Sequence, residues 1–327
     1  MRAIVAREPG GPDVLDYLDL PDPEPGPGEL LVAVAAAGVN FIDTYRRAGV
    51  YAMDYPHIVG SEGAGRVVGL GEGVEGFAEG DLVSWHDTRG SYAELVAVPA
   101  SQAVKVPEGL DVGVAAALPM QGMTAHYLVA STFEVGQDHQ VLLHAGAGGV
   151  GLLATQLATL RGGRVITTVS SPEKAALSRA AGAVEAIDYS GFGDLTAELP
   201  PVVRGLTDGE GVHVVYDGVG KTTFDASLAS LRVRGTLVLF GGSSGQVPPF
   251  DPQRLNAGGS LFLTRPTIAH YTRTRLEIEW RMSELLGLAA SGKLDVRVGE
   301  RFPLEAAADA HRALEGRRTT GKVVLIP

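Results

Sequence analysis

The sequence predicts an α/β protein in which a doubly wound parallel sheet is inserted into a barrel-like β domain. Three observations carry this. Short apolar runs separated by glycine turns fill the first third of the chain. Strand-like and helix-like runs alternate after about residue 120, the pattern of a parallel sheet covered by helices. The roughly 60 residues at the end are too few to fold alone and are expected to return to the first domain.

A chain of 327 residues exceeds the usual ceiling for one hydrophobic core. The expected division is residues 1–122 plus 266–327 for the β domain and 123–265 for the inserted one, with a cleft between them. Hydrophobic residues make up 45% and charged residues 20%, which excludes a disordered chain. The net charge of −11 repels nucleic acid and anionic membranes, and the densest basic spots are only the pairs Arg46–Arg47 and Arg317–Arg318. Nucleic acid is not an expected partner. The absence of cysteine excludes disulfides, thiolate nucleophiles, iron–sulfur clusters and cysteine-ligated zinc. The N-terminus meets Arg2, Arg7 and Glu8 too early for a signal-peptide core, and no apolar run reaches spanning length. No membrane partner is expected, and the expected compartment is the reducing cytoplasm.

Within the first third, four prolines between Pro21 and Pro27 form a stiff connector before the apolar strand Glu29–Gly38. Shorter strands are expected at Gly65–Gly69, Asp81–Trp85 and Tyr92–Val98. In the inserted part, strands are expected at Val141–His144, Arg164–Val169, Val212–Tyr216, Thr236–Phe240 and Ser260–Leu263. Helices are expected at Gly151–Leu160, Pro172–Ala181 and Thr222–Leu231. A long helix from Arg273 to Ala290 follows, with Leu276, Trp280, Leu285, Leu286 and Ala289 as its apolar stripe, and a final strand ends in Val323–Ile326.

Gly146, Gly148 and Gly151 form G-x-G-x-x-G. Such glycines permit a tight turn, approach of backbone to a pyrophosphate, and close helix–strand packing. In a chain with 44 glycines the pattern alone is weak, and it recurs at Gly71, Gly73 and Gly76. Only the match at 146 follows an apolar strand and opens an apolar helix, whose N-terminus suits phosphate. The match at 71 lies between short strands and reads as a turn. The next strand ends in Val169-Ser-Ser-Pro-Glu-Lys174, with no carboxylate at the strand end itself, although Glu173 offers an acceptor for a ribose hydroxyl. Ser170, Ser171 and Lys174 offer donors and positive charge suited to a 2′-phosphate, so NADPH is the expected cofactor.

Gly38-Val-Asn-Phe-Ile-Asp-Thr-Tyr45, His57–Gly65, Gly122-Met-Thr124, Ala145–Gly151, Tyr216–Gly220 and Phe240–Gly245 occur in one recognisable order. Together they resemble the quinone oxidoreductase (zeta-crystallin-like) branch of the medium-chain dehydrogenase/reductases, over essentially the whole chain. The resemblance implies a GroES-like β-barrel catalytic domain with an inserted Rossmann domain. It implies cofactor contacts from Asn40, Thr124, the loop Gly146, Ala147, Gly148, Gly149, Val150 and Gly151, then Ser170, Lys174 and Tyr189 at the 2′-phosphate end. Along the nicotinamide half it implies Val219, Phe240, Gly241, Ser243 and Arg265, with Arg317 added. Gly242 departs from the Asn that relatives often carry, and Ser170 from the Gly of some. A homodimer joined near Gly259–Leu263 is also implied.

Alcohol dehydrogenases of the same superfamily carry zinc ligands at positions that here read Asn40, Ser61 and Met120, so no metal is expected. Glu62 survives from their Gly-His-Glu motif and is left without partners, while His57, His86 and Asp87 read as ordinary hydrogen-bonding residues. Without a Lewis acid, alcohol oxidation is disfavoured. A quinone or similarly conjugated carbonyl is the easier acceptor, because arriving charge is delocalised onto an oxygen that hydrogen-bond donors can stabilise. Tyr51, Tyr45 and Asn40 are the candidate catalytic donors, and Asp43 is expected to fix their loop. The expected function is zinc-free, NADPH-dependent quinone reduction by electron or hydride transfer in the cleft. The alternatives are an NADPH-dependent enone or enoyl reductase, and a catalytically weak NADPH-binding structural protein.

Overall fold

The computed structural model describes residues 1–327 and resolves them into two units, Met1–Met123 with Thr272–Pro327, and Thr124–Tyr271. In chain order the first segment supplies β1 (Arg2–Ala6), β2 (Leu15–Asp19), β3 (Glu29–Val39), α1 (Phe41–Arg47), β4 (His57–Ile58), β5 (Gly63–Leu70), β6 (Leu82–Trp85), β7 (Leu95–Pro99), β8 (Ala103–Lys105) and α2 (Val112–Ala117). The inserted segment begins with α3 (Met123–Tyr127), β9 (Gln140–Leu143), α4 (Gly149–Leu160), β10 (Arg164–Val169), α5 (Pro172–Ala180) and β11 (Glu185–Asp188). It continues through α6 (Leu195–Gly205), β12 (Val212–Asp217), α7 (Phe224–Ala229), β13 (Leu231–Leu239), α8 (Gln253–Ala257) and β14 (Phe262–Thr264). The returning segment adds α9 (Arg275–Ala290), β15 (Val298–Pro303), α10 (Ala307–Glu315) and β16 (Lys322–Ile326).

The first unit is built on a seven-stranded sheet, β15-β16-β3-β5-β6-β8 with β7 also paired to β3, beside the three-stranded β2-β1-β4. Alternation along β3 puts Leu30, Val32 and Val34 into a core with Ile4, Val67, Trp85, Tyr92, Val323 and Leu325. The pairing of β16 with β3 joins the chain's end to its beginning, with Val323 opposite Val39. The last segment folds with the first because β16 would otherwise be an apolar strand with no partner.

The second unit is a six-stranded parallel sheet of order β11-β10-β9-β12-β13-β14. Counted from β9 this is 3-2-1-4-5-6, the doubly wound order whose reversal lies between β9 and β12. Its strands are almost wholly apolar because helices cover both faces.

Three differences from the sequence expectation have local causes. The short strand Glu185–Asp188 and the helix Leu195–Gly205 are additions to it. The strand has only four residues with acids at both ends, and Pro200 and Pro201 lie inside the helix, which survives by burying Leu199 and Val203. On α9 the buried stripe is Ile278, Arg281, Met282, Leu285 and Leu286, whereas Leu276 is 76% exposed and Trp280 49%.

Candidate functional site

In the second unit the chain leaves β9 through His144 and enters a loop in which Ala145 holds φ +57°. Each glycine of the motif has a different surrounding. A Cβ on Gly146 would lie 2.5 Å from Thr167 Cβ and 2.7 Å from Ser178 Oγ, and one on Gly151 would lie 2.3 Å from the Ala145 carbonyl oxygen. At Gly148 the nearest atom is that same oxygen at 3.3 Å, a tight contact but the least crowded of the three. Gly148 caps α4, and the first amides of that helix, at Gly149, Val150 and Gly151, have no carbonyl of their own helix to bond. Ala147 is buried in the loop. The arrangement suits a pyrophosphate held by backbone N–H groups. The second match, Gly71–Gly76, is a turn between β5 and β6 with positive φ at Gly73 and Gly76.

At the end of β10, Lys174 Nζ lies 3.2 Å from Ser170 Oγ. Ser171 caps α5 by accepting from Lys174 N at 3.3 Å, and the Glu173 backbone amide, with the Ser171 hydroxyl second, holds the Glu173 carboxyl below its ordinary range. Tyr189 is carried to the same place by its own N–H, which donates to the Val169 carbonyl at 3.0 Å.

On the far side of the switch point, two loops are zipped together. Asp217, fully buried at the end of β12, accepts from the amides of Val219 (2.8 Å) and Gly220 (2.9 Å) and from the hydroxyls of Thr223 and Ser227. The amides of Phe240 and Gly241 donate to the Asp217 carbonyl, and Ser243 N donates to Gly218 O at 3.2 Å. A Cβ on Gly241 would meet Gly218 O at 2.4 Å, which is why both loops need glycine at this contact. Val219, Phe240, Gly241 and Ser243 thus share one rim of the unit. Thr124 is half-buried where the unit begins, and Arg265 follows β14, its guanidinium donating to Pro266 O at 3.2 Å.

In the first unit the Asn40–Tyr51 segment follows β3. Asp43 stands at the third position of α1 and accepts from Asn40 N at 2.9 Å. It is 1% exposed and also accepts from Ser61 Oγ at 2.5 Å and Tyr92 Oη at 3.2 Å. Burial raises its pKa, and the bonds from Ser61 and the Asn40 amide oppose the rise. Behind it runs a polarised chain. Arg47 donates to His311 Nδ1 at 2.9 Å, so the neutral ring carries its proton on Nε2 and donates to Tyr92 Oη at 3.3 Å, which donates to Asp43. Burial and the Arg47 charge push His311 down to about 3, which keeps it neutral. Tyr45 lies between Phe41 and Tyr51 with ring centroids 6.1 Å from each, and Tyr51 is 48% exposed. Arg317 is exposed beyond α10, at φ +54°.

Glu62 is not without partners. It is fully buried, its Oε2 accepts from Met120 N at 2.6 Å, and its Oε1 accepts from Asn40 Nδ2 at 2.6 Å and pairs with the ammonium of Lys322. Lys322 Nζ also donates to Asn40 Oδ1 at 2.8 Å. Sequence reading misses Lys322 because a single lysine opening an apolar strand carries no local signal.

These partners decide the question of zinc. Ser61 Oγ receives Arg46 NH1 at 2.7 Å and donates to Asp43, Asn40 faces an ammonium, and Met120 offers its backbone amide. His57 Nδ1 lies 3.0 Å from Asp54 O, and Asp87 pairs with Arg46. His86 is buried with its Nδ1 unpartnered, and no group of three His, Cys, Asp or Glu side chains is arranged to hold a metal. An amide, a hydroxyl and a thioether beside two fixed cations do not fit zinc.

Comparison with known proteins agrees with this geometry. A family model described as alcohol dehydrogenase GroES-like domain matches residues 26–108, and one described as zinc-binding dehydrogenase matches residues 181–325. The zinc of the second description has no fitting ligand set in this chain. A quinone oxidoreductase of Pseudomonas aeruginosa is 44% identical over 320 residues, covering 97% of each chain. A mycobacterial protein solved in complex with NADPH is 52% identical with a TM-score of 0.97, covering 100% of both chains. A 2-haloacrylate reductase of a Burkholderia species is 39% identical over 333 residues, covering 99% of this chain and 98% of its own.

Proposed function

Because the chain belongs to the quinone oxidoreductase branch of the medium-chain dehydrogenase/reductases, we propose that it reduces quinones at the expense of NADPH, without a metal. The observation that carries the choice of coenzyme is the pairing of Lys174 with Ser170 at the end of β10. When bound, NADPH supplies the reducing electrons. The protein's part is to bind and orient. The α4 amides take the pyrophosphate, and Lys174, Ser170 and Tyr189 take the 2′-phosphate end. On the second unit Thr124, Val219, Phe240, Gly241, Ser243 and Arg265 take the nicotinamide half, and on the first unit Asn40 and Arg317 are the proposed coenzyme contacts. Tyr45, Tyr51 and the Asn40 amide donate to the acceptor oxygen on which charge collects.

Lys174→Ala is expected to raise the KM for NADPH by about ten- to a hundredfold, the worth of a charge-assisted phosphate contact, and to leave that for NADH nearly unchanged. Steady-state rates with both coenzymes check this, and an equal loss for both would remove Lys174 from the phosphate site. A second reading, reduction of activated carbon–carbon double bonds, is favoured by the likeness to 2-haloacrylate reductase. Comparing kcat/KM across quinones and α,β-unsaturated acceptors separates the two.

We further propose a cytoplasmic homodimer. No helix is long and apolar enough to cross a membrane. The edge strand β14 has an unpaired side, and Phe262 on it is 60% exposed while neighbouring Val233 is 66% exposed, an edge suited to pairing with its twin. Sedimentation equilibrium is expected to give twice the chain mass, and a monomer at micromolar concentration would end this proposal.

A further inference from the structure

Lys322 opens β16, is 1% exposed, and is brought beside Asn40 by strand register, since Val323 pairs with Val39. Its ammonium meets Asn40 Oδ1 at 2.8 Å and Glu62 Oε1, while Asn40 Nδ2 donates to that same carboxylate at 2.6 Å. An asparagine amide has two ends of nearly equal size, and an amide among neutral neighbours can sit either way round. Here it cannot. An ammonium has only donors and a carboxylate only acceptors, so a reversed amide would set N–H against ammonium and C=O against carboxylate.

We propose that Lys322 is a positioning residue for the reductase reaction: with Glu62 it fixes the polarity of the Asn40 amide, leaving one Nδ2 hydrogen as the group Asn40 offers to a bound ligand. A spare N–H suits an oxygen acceptor, either a hydroxyl oxygen of the coenzyme or the carbonyl oxygen of the quinone. The pair also explains how buried charge is tolerated at this place. The segments around Asn40, Ser61 and Met120 converge on an internal cation, supplied by the chain's last strand and balanced by a carboxylate with three partners. The proposal rests on the reading that Asn40 touches coenzyme or acceptor.

Three variants of the full chain test it: Asn40→Ala, the double variant Glu62→Gln/Lys322→Met, and all three substitutions together. The double variant removes both charges at once and so avoids an uncompensated buried ion. The side-chain amide that replaces the Glu62 carboxylate can accept or donate, which frees the Asn40 amide to turn. The double variant is expected to melt near the parent temperature yet lose about tenfold or more in kcat at saturating NADPH. In the Asn40→Ala background the same pair of changes is expected to cost no further rate, because the group they orient is gone. Additive losses, or a double variant with full rate, overturn the role of Lys322 while leaving that of Asn40 intact. An Asn40→Ala protein with unchanged kcat and NADPH affinity overturns the Asn40 reading itself. Should the double variant fail to fold, Lys322→Arg serves, since it keeps a donor-only cation at Asn40 Oδ1 and is expected to retain most of the rate. A folded Lys322→Arg as slow as Asn40→Ala overturns the proposal.

Discussion

Gly151→Ala is expected to abolish measurable NADPH binding. The added Cβ would stand 2.3 Å from the Ala145 carbonyl oxygen and 3.0 Å from both Gly146 C and Cα, all backbone atoms of the loop itself. That oxygen is not free to retreat, because Ala145 is already at φ +57° and accepts from Gly148 N at 2.9 Å. Relief therefore requires the loop to open, which turns the Gly149–Gly151 amides away from a common point. Each charge-assisted bond to a phosphate oxygen is worth about 1.5–3 kcal/mol, so losing two weakens binding on the order of a hundredfold or more. Gly148→Ala provides the milder contrast, since its Cβ would meet that same oxygen at 3.3 Å and needs far less relief, and its melting temperature is expected to fall less than that of Gly151→Ala. Calorimetric titration with NADPH and thermal unfolding measure both. A Gly151→Ala protein that binds NADPH as the parent does would remove the loop from the coenzyme site.

Asp217→Ala is expected to destabilise the second unit by about 3–5 kcal/mol, the range for uncovering several buried donors at once. The carboxylate accepts from two amides and two hydroxyls with no water nearby to replace it, as its complete burial shows. The loss also travels inward. Ser227 Oγ donates to Asp217 at 2.7 Å and so accepts from His144 Nε2, which fixes the His144 tautomer and leaves Nδ1 to accept from Thr168 Oγ1 at 2.9 Å. Removing the acid frees Ser227 and with it the brace from α7 through His144 to β10, and His144 immediately precedes the glycine loop. Asp217→Asn is expected to be little better, because one of its polar ends would face donors with a donor. Urea unfolding followed by circular dichroism measures the shift, and a change below about 1 kcal/mol would mean that the two loops hold each other without the acid.

Where the information is local, the sequence can be read closely. Arg164–Val169 is a strand with the expected bounds, and Pro172 begins its helix as expected, because a β-branched run and a proline at the first helical turn act within a few residues. The glycine motif is separable from its double at Gly71 for the same reason: one opens a helix and the other closes a turn. The stripe on α9 departs from expectation because helical period alone cannot say which of two apolar faces will be buried, and Leu276 and Trp280 stay exposed. Ser171 reads as a phosphate donor on composition, and the structure adds a second role that composition does not show, its Oγ accepting from Lys174 N to cap α5.

The chain by itself determined the class of fold, the glycine loop that opens a helix and the residue types at Asn40, Ser61 and Met120, since turn geometry, strand and helix period and side-chain donor type are properties of neighbouring residues. Only the tertiary structure decided what stands in place of a metal centre. Glu62 and Lys322 are 260 residues apart, and Asn40 and Lys322 are 282 apart. Whether such groups meet depends on the register between β16 and β3, and register is set by the packing of whole strands, which no local pattern encodes.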